Sequence, residues 1–223
     1  MSTDSDTTPR RRLVEAAVRL LADGGPETVQ ARRLAAEIGA STMAVYTHFG
    51  GMGALVEAVR EEGFRRIADA VTAAPVTGDP VADLLRTDLA YQDVARDNPN
   101  LYAVTFGQAV LGGRRITTRE RVHPVDTPSA EGQRAFGVLM SGVERAVAAG
   151  RLRAGSTSGI AGQLWSSLHG YLSLELTGYL GPRETAVRGV FLPLHRTLMV
   201  GLGDTPEAVA RSHAAVVGDQ GAN

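Results

Sequence analysis

Along almost the whole of this 223-residue chain, apolar residues recur at i, i+3 and i+4, and strict apolar–polar alternation between turn signals is absent. A helix buries one stripe at a period of 3.6 whereas a half-buried strand needs a period of two, so the pattern predicts an all-α fold. Leu13, Ala16, Ala17, Leu20 and Leu21 make the first stripe, and Gly24-Gly25-Pro26 stops it. Thr28 then offers an N-cap for a short second helix that turns Leu34, Ala35 and Ile38 inward. Gly39-Ala40-Ser41 interrupts, a third short helix is expected from Thr42 to Phe49, and a long fourth from Met52 to Ala73. After a turn-rich stretch from Pro75 to Pro80, helices are expected near Pro80–Asp97, Pro99–Phe106, Ala130–Ala149, Thr157–Leu180, Pro182–Val200 and Pro206–Val217. Between Gly107 and Ser129 no period is visible, and that segment reads as a long loop.

Composition narrows the chemistry. The chain has no cysteine, which removes disulfides, thiolate metal sites and cysteine nucleophiles together and fits a reducing cytoplasm. All 23 basic residues are arginine, so any cationic contact to a phosphate or a base must be an arginine contact. The formal net charge of −1 gives no sign of a nucleic-acid partner by itself. Met1 to Thr8 is polar with two aspartates and does not read as a secretory leader. The longest uncharged stretch, Ala154 to Leu174, carries Gln163, His169 and several hydroxyl and glycine residues, too polar for a membrane span. A soluble, cytoplasmic protein with no membrane partner is expected.

Enzyme signatures fail one by one. Gly155-Ser156-Thr157-Ser158-Gly159 puts threonine at the centre of the nucleophile-elbow spacing. Gly201-Leu202-Gly203 lacks a third glycine and a preceding strand, so it is not a dinucleotide fingerprint. His48, His123, His169, His195 and His213 show no paired metal spacing. No catalytic residue, metal or cofactor is expected.

The first three helices read instead as a DNA-binding unit. Two short helices joined by a Gly-containing turn, behind a longer supporting helix, match the helix-turn-helix layout, in which the second short helix enters the major groove. At 100° per residue, Val45 and Phe49 share one face of that helix and should pack onto Leu34 and Ile38. Met43, Ala44 and Thr47 point broadly away, with Thr42 and Tyr46 on one flank and His48 on the other. Small, apolar and hydroxyl groups suit base edges and thymine methyls, and the flanking Tyr and His suit phosphates. Arg32 and Arg33 lie on the helix before, and Arg10-Arg11-Arg12 opens the first helix, either as a solvated helix start or as an arm toward DNA. Short helices with a Gly turn also occur in many all-α proteins, so spacing alone leaves both readings open.

The stretch RRRLVEAAVRLLADGGPETVQARRLAAEIGASTMAVYTHFGGMGALVEAVREEGF resembles the N-terminal domain of the TetR family. The likeness is carried by an Ala-rich first helix ending at Gly, Leu34-Ala35, then Gly39-Ala40-Ser41, then Tyr46-Thr47-His48-Phe49. It implies a three-helix DNA-binding domain over residues 1–52 and a helical-bundle domain for ligand binding and dimerisation over residues 53–223, with the fourth helix linking them. It also implies a transcriptional regulator, mostly a repressor, that binds a palindromic double-stranded operator as a homodimer and releases it when a small-molecule effector binds. Arg10, Thr28, Arg32, Thr42, Met43, Ala44, Tyr46, Thr47 and His48 are the expected DNA contacts. Where the family often has Lys at the start of the fourth helix, this chain has Met52, so a charge-based phosphate contact is missing there. A helical interaction protein that has lost DNA binding is the competing reading.

In the second domain, Leu164-Trp165-Ser166-Ser167-Leu168-His169-Gly170 is similar to the Trp…His-Gly signature of one TetR C-terminal class. Trp165, His169 and Leu172 share a helix face, and with Tyr91, Tyr102, Phe106, Phe136 and Met140 they are the candidate walls of an effector pocket. The alternative is that these side chains are ordinary core. The resemblance assigns the last two long helices to the dimer interface, with Leu164, Leu168, Val187, Val190, Phe191, Leu194 and Leu198 as its candidates. The same stripe also serves an intrachain core.

Overall fold

The computed structural model describes residues 8–111, 114–115 and 129–218. The helices are α1 (Pro9–Gly24), α2 (Ala31–Glu37), α3 (Met43–Phe49), α4 (Met52–Ala73), α5 (Pro80–Asp97), α6 (Pro99–Thr105), α7 (Ala130–Ala148), α8 (Thr157–Leu176), α9 (Arg183–Ala186), α10 (Leu192–Gly201) and α11 (Pro206–Val217). A two-residue antiparallel pairing, β1 (Val110–Leu111) with β2 (Arg114–Arg115), lies in the segment expected to be loop. The polar opening up to residue 7 and residues 116–128 lie outside the described residues. Among the described residues no helix is long and apolar enough to cross a membrane.

The chain forms two compact units, and neither is a continuous stretch. The first comprises residues 1–66 and 97–132, the second residues 67–96 and 133–223. This division differs from a single boundary near residue 52 because α6 belongs with the N-terminal helices. The cause is local. Asn98 accepts the Leu101 N–H at 2.9 Å to start α6, and its amide donates to the Val18 carbonyl of α1 at 3.1 Å. Asn100 donates to the Leu21 carbonyl at 2.8 Å, so two side-chain amides before and within α6 donate to carbonyls of the last turns of α1.

The first unit is built on Leu13, Ala16, Ala17 and Leu21 of α1, Leu34 and Ile38, Val45 and Phe49 of α3, and Leu55, Val56 and Val59 of α4. Thr28 does not cap α2 as its sequence position suggests. It ends a 3₁₀ turn (Pro26–Thr28), and its hydroxyl, 2.7 Å from the carbonyl oxygens of both Leu20 and Gly25, is turned back to α1. Gln30 precedes α2 without a side-chain cap. Gly63 of α4 allows α6 to approach, since a Cβ there would stand 1.9 Å from Oγ1 of Thr105, itself buried and held to the Leu101 carbonyl. Gly63→Ala should therefore cost ~1–3 kcal/mol, read as a lower midpoint in a urea melt, although alanine is the better helix former.

The second unit packs α5, α7, α8, α10 and α11 around Val81, Leu84, Leu139, Val143, Ala161, Leu164, Met199 and Val209. The helix expected to reach Leu180 ends at Leu176, where the Thr177 hydroxyl returns to the Ser173 carbonyl and Gly178 turns left-handed at φ 83°. The continuous helix expected over Pro182–Val200 is replaced by α9, a π-helical turn from Val187 to Phe191, and α10. Pro193 explains the interruption: it has no N–H for the Gly189 carbonyl, and its ring crowds the preceding turn. The backbone widens, and the Leu192 N–H reaches back to Val187.

That extra residue rotates the apolar stripe. Phe191 is buried, Val187, Leu194 and Leu198 are half-buried, and Val190 is 38% exposed. Leu164 and Leu168 are also buried within their own chain, at 4% exposure each, so as interface candidates they give way to the core reading.

Candidate nucleic-acid interface and effector region

The α3 surface follows from its burial pattern. Val45 and Phe49 are fixed in the core, which leaves Thr42, Met43, Tyr46 and Thr47 exposed, Met43 at 64% and Tyr46 at 53%. Gly50 closes the helix in the left-handed region at φ 71°, its N–H on the Tyr46 carbonyl. Ala44 departs from the expected arrangement: it is half-buried and packs on the core of the unit, as does Met52 at the start of α4. His48 is half-buried as well. The exposed reading surface is thus Thr42, Met43, Tyr46 and Thr47, with His48 at its edge.

The arginine run at the start of α1 is not a free arm. Arg10 donates to the His48 carbonyl at 2.9 Å and lays its guanidinium 4.2 Å from the Phe49 ring centroid. Arg12 donates to the Ile38 carbonyl at 2.9 Å, and Arg11 pairs with Glu15. Two cations therefore sit on the carbonyl ends of α2 and α3, where the helix dipoles favour positive charge. These two contacts brace the helix-turn-helix, and Arg10, expected as a DNA contact, is an exposed residue already engaged with the end of α3. Arg32 and Arg33, both exposed on α2, have no hydrogen bond or ion pair among the described residues. Arg33 was not among the expected contacts, though its place beside Arg32 at a helix start was visible in the sequence.

The expected effector residues separate between the two units. Tyr91, Phe136, Trp165 and His169 come together in the second. Tyr91 Oη and His169 Nε2 are 2.8 Å apart, the Trp165 and His169 rings 4.6 Å, and the Phe136 and Trp165 rings 6.0 Å. Burial pushes His169 down to about 4, so its ring is neutral near pH 7. Leu172 is fully buried on α8 and Met140 is half-buried against the core. Tyr102 and Phe106 belong to the first unit, where their rings lie 4.9 Å apart and Phe106 meets Phe64 edge-on at 5.3 Å.

A cavity of about 420 Å³ opens in the second unit, and none of the expected wall residues lines it. Its walls include Val71, Pro75, Leu84, Thr87, Val138 and Ser141 from α4, α5 and α7 and the turn between the first two. Arg134 and Arg145 also reach it, each already paired: Arg134 with Asp69 and Arg145 with Asp83, both at 2.6 Å. The aromatic cluster shows where specific ring contacts lie and the cavity shows where there is room; α5 and α7 contribute to both. Among the described residues, no three His, Cys, Asp or Glu side chains gather as a metal site.

A helix-turn-helix with an exposed polar–apolar reading helix, joined to a helical bundle with a cavity, defines a DNA-binding regulator. Residues 13–59 match the family model described as bacterial regulatory proteins, tetR family, and residues 84–198 match that of the tetracyclin repressor-like C-terminal domain. The chain belongs to the TetR family and is a DNA-binding transcriptional regulator, not an enzyme. It is similar to a protein with unknown function from Rhodococcus, at 25% identity over 92% of this chain and 100% of that one, with a TM-score of 0.71. A bacterial regulatory protein of the tetR family from Rhodococcus is 20% identical over 89% of this chain and 98% of that one, at a TM-score of 0.60. The TetR family regulator PfmR of Thermus thermophilus is 21% identical over 73% and 85%, at 0.53; these last two likenesses concern the fold. No protein of curated function matches the sequence.

Proposed function

We propose that this regulator is a cytoplasmic repressor that binds a palindromic operator as a homodimer and lets go when a small-molecule effector occupies its helical bundle. The observation that carries the DNA-reading part is the exposed α3 surface, with Met43, Tyr46 and Thr47 standing beside the unpaired Arg32 and Arg33 of α2. Met43 suits the apolar edge of a base pair, whereas Tyr46 and the two arginines suit phosphates. Two copies would set their reading helices one helical turn apart, ~34 Å, on the operator. An effector that favours another spacing would weaken binding to both half-sites at once.

The homodimer is supported by α8. Trp165, Ser166, Gly170, Ser173 and Leu174 are exposed, and no formal charge appears on this helix before Glu175. A helix face that is uncharged and half apolar is more stable against a second copy than in water.

A gel shift with DNA upstream of the gene and its neighbours, run at several salt concentrations, tests the reading. Binding should weaken steeply with salt, and its absence on every such fragment would sink the proposal. Tyr46→Ala should weaken binding to all sequences alike, by ~1 kcal/mol, whereas Met43→Ala should change which base is preferred at one position by ~1–3 kcal/mol. Equal loss on every operator variant for Met43→Ala would remove Met43 from base reading.

A further inference from the structure

The reading helix has little of its own to hold it in place. α2 and α3 are seven residues each, well under the ~12–15 at which an isolated helix holds in water. α3 fully buries only Val45 and Phe49, and Thr42 supplies no side-chain cap at its start. Its direction is therefore set at its far end, where Phe49 enters the core and Gly50 closes the helix.

That end is gripped by α1. Thr8 caps α1 and Pro9 opens its first turn, so the chain reaches Arg10 already in helical geometry. From there the guanidinium makes two contacts with α3 at once. It donates to the His48 carbonyl at 2.9 Å and lies 4.2 Å from the centroid of the Phe49 ring. Phe49 is 8% exposed, so the ring offers the cation a fixed face. Arg12 acts on the helix before, donating to the Ile38 carbonyl at the end of α2 at 2.9 Å.

Resting on the DNA-reading proposal above, we infer that Arg10 is a positioning residue. Acting through Phe49 and the His48 carbonyl, it fixes the angle at which α3 presents Met43 and Tyr46, and so governs base discrimination rather than phosphate affinity. The leverage comes from distance along the helix. Met43 stands five residues before His48, ~7.5 Å away along the axis, so a ~15° swing about the clasped end carries it ~2 Å. Contacts to base edges do not survive such a shift, whereas side chains reaching phosphates can follow it. Lysine in place of Arg10 keeps the charge but not the clasp. An ammonium is a compact point charge, without the flat fork that lies on a ring while one N–H reaches a carbonyl.

Arg10→Lys is thus the informative variant, and because Arg10 is exposed at a helix start, it leaves the core intact. With the fragment retained in the gel shift as operator, Arg10→Lys should lower the ratio of operator to random-sequence affinity ~tenfold. Random-sequence affinity and the salt dependence of binding should not change, since the charge is kept. A phosphate contact would behave otherwise: lysine would serve in its place, and the ratio would stay. An unchanged ratio, or an equal loss on both DNAs, would overturn the inference. Without DNA, amide hydrogen exchange over residues 46–50 should quicken ~tenfold in Arg10→Lys, with α7 and α8 as protected as before. Should the variant not fold, the unmodified protein still decides. Its Arg10 side-chain proton resonances should be shifted upfield by the Phe49 ring and remain so when operator is added; loss of that shift on DNA would mean that Arg10 leaves the ring for phosphate. A protein that retards no fragment defeats the DNA-reading proposal, whereas unchanged α3 exchange or an unchanged affinity ratio defeats this inference alone.

Discussion

Gly170→Arg is expected to lower operator affinity ~100-fold or more while leaving each protomer folded. Gly170 is exposed on α8, and a Cβ built there meets no atom within 4 Å beyond its chain neighbours and the backbone of its own helix, so the substitution has nothing to disturb in the core. Replacing a mid-helix glycine also favours the helix by roughly 1 kcal/mol. Across the proposed two-fold interface the outcome reverses, because each copy would bring a guanidinium to the same self-complementary face, unpaired and away from water. A regulator reduced to monomers grips one half-site at a time and forfeits the gain from joining two. Sedimentation should show the variant as a monomer at micromolar concentration, with an unchanged helical spectrum. A variant that remains dimeric would move the interface off this face of α8.

What the sequence made legible was local, and what it concealed was long-range. Spacing at 100° per residue was enough to bury Val45 and Phe49 and expose Met43 and Tyr46, because one short helix carries all four. It was not enough for Arg10 and Arg12. Their acceptors, the carbonyls of His48 and Ile38, lie 38 and 26 residues away, and a run of arginines looks alike whether it braces helix ends or waits for phosphate. The pairing of Tyr91 with His169 spans 78 residues, and only the composition of the two helices hinted at it. Tyr102 and Phe106 share the aromatic character of the cluster, yet Asn98 ties α6 to α1, and no periodicity announces that tie. The interruption of the helix before α10 was readable, since Pro193 sits inside an otherwise helical pattern, and its effect on the apolar register follows from the missing N–H. The walls of the cavity had no linear signature because they come from several turns of α4, α5 and α7.

The ion-pair clasp behind the second unit is a further feature with no motif, and it supports the other large prediction: Arg151→Met should destabilise the protein by ~3–5 kcal/mol near pH 7. Arg151, in the turn after α7, grips Asp204 through Nε and Nη2 at 2.9 and 2.7 Å, reaches Asp79 at 3.1 Å, and meets Ser212, whose hydroxyl donates to Asp79 at 2.7 Å. One guanidinium thus joins the start of α5, the turn between α10 and α11, and α11 itself. Methionine fills much of the same volume, so the loss isolates the charge. It leaves Asp204, whose side chain is 3% exposed, buried without its cation. Desolvation works to raise Asp79, but the Ser212 hydroxyl, the backbone N–H groups and the Arg151 charge outweigh it and hold its carboxyl below its ordinary value. A depressed folded value contributes stability above the unfolded pKa, and that contribution is lost as pH falls through the folded one. In urea melts the gap between wild type and variant should therefore be full at neutral pH and shrink below about pH 4. Asp204→Asn in the Arg151→Met background should recover part of the loss, because the stranded charge is then gone. A gap that stays constant down to pH 3, or a double variant no more stable than the single one, would show that Arg151 acts by packing rather than by charge.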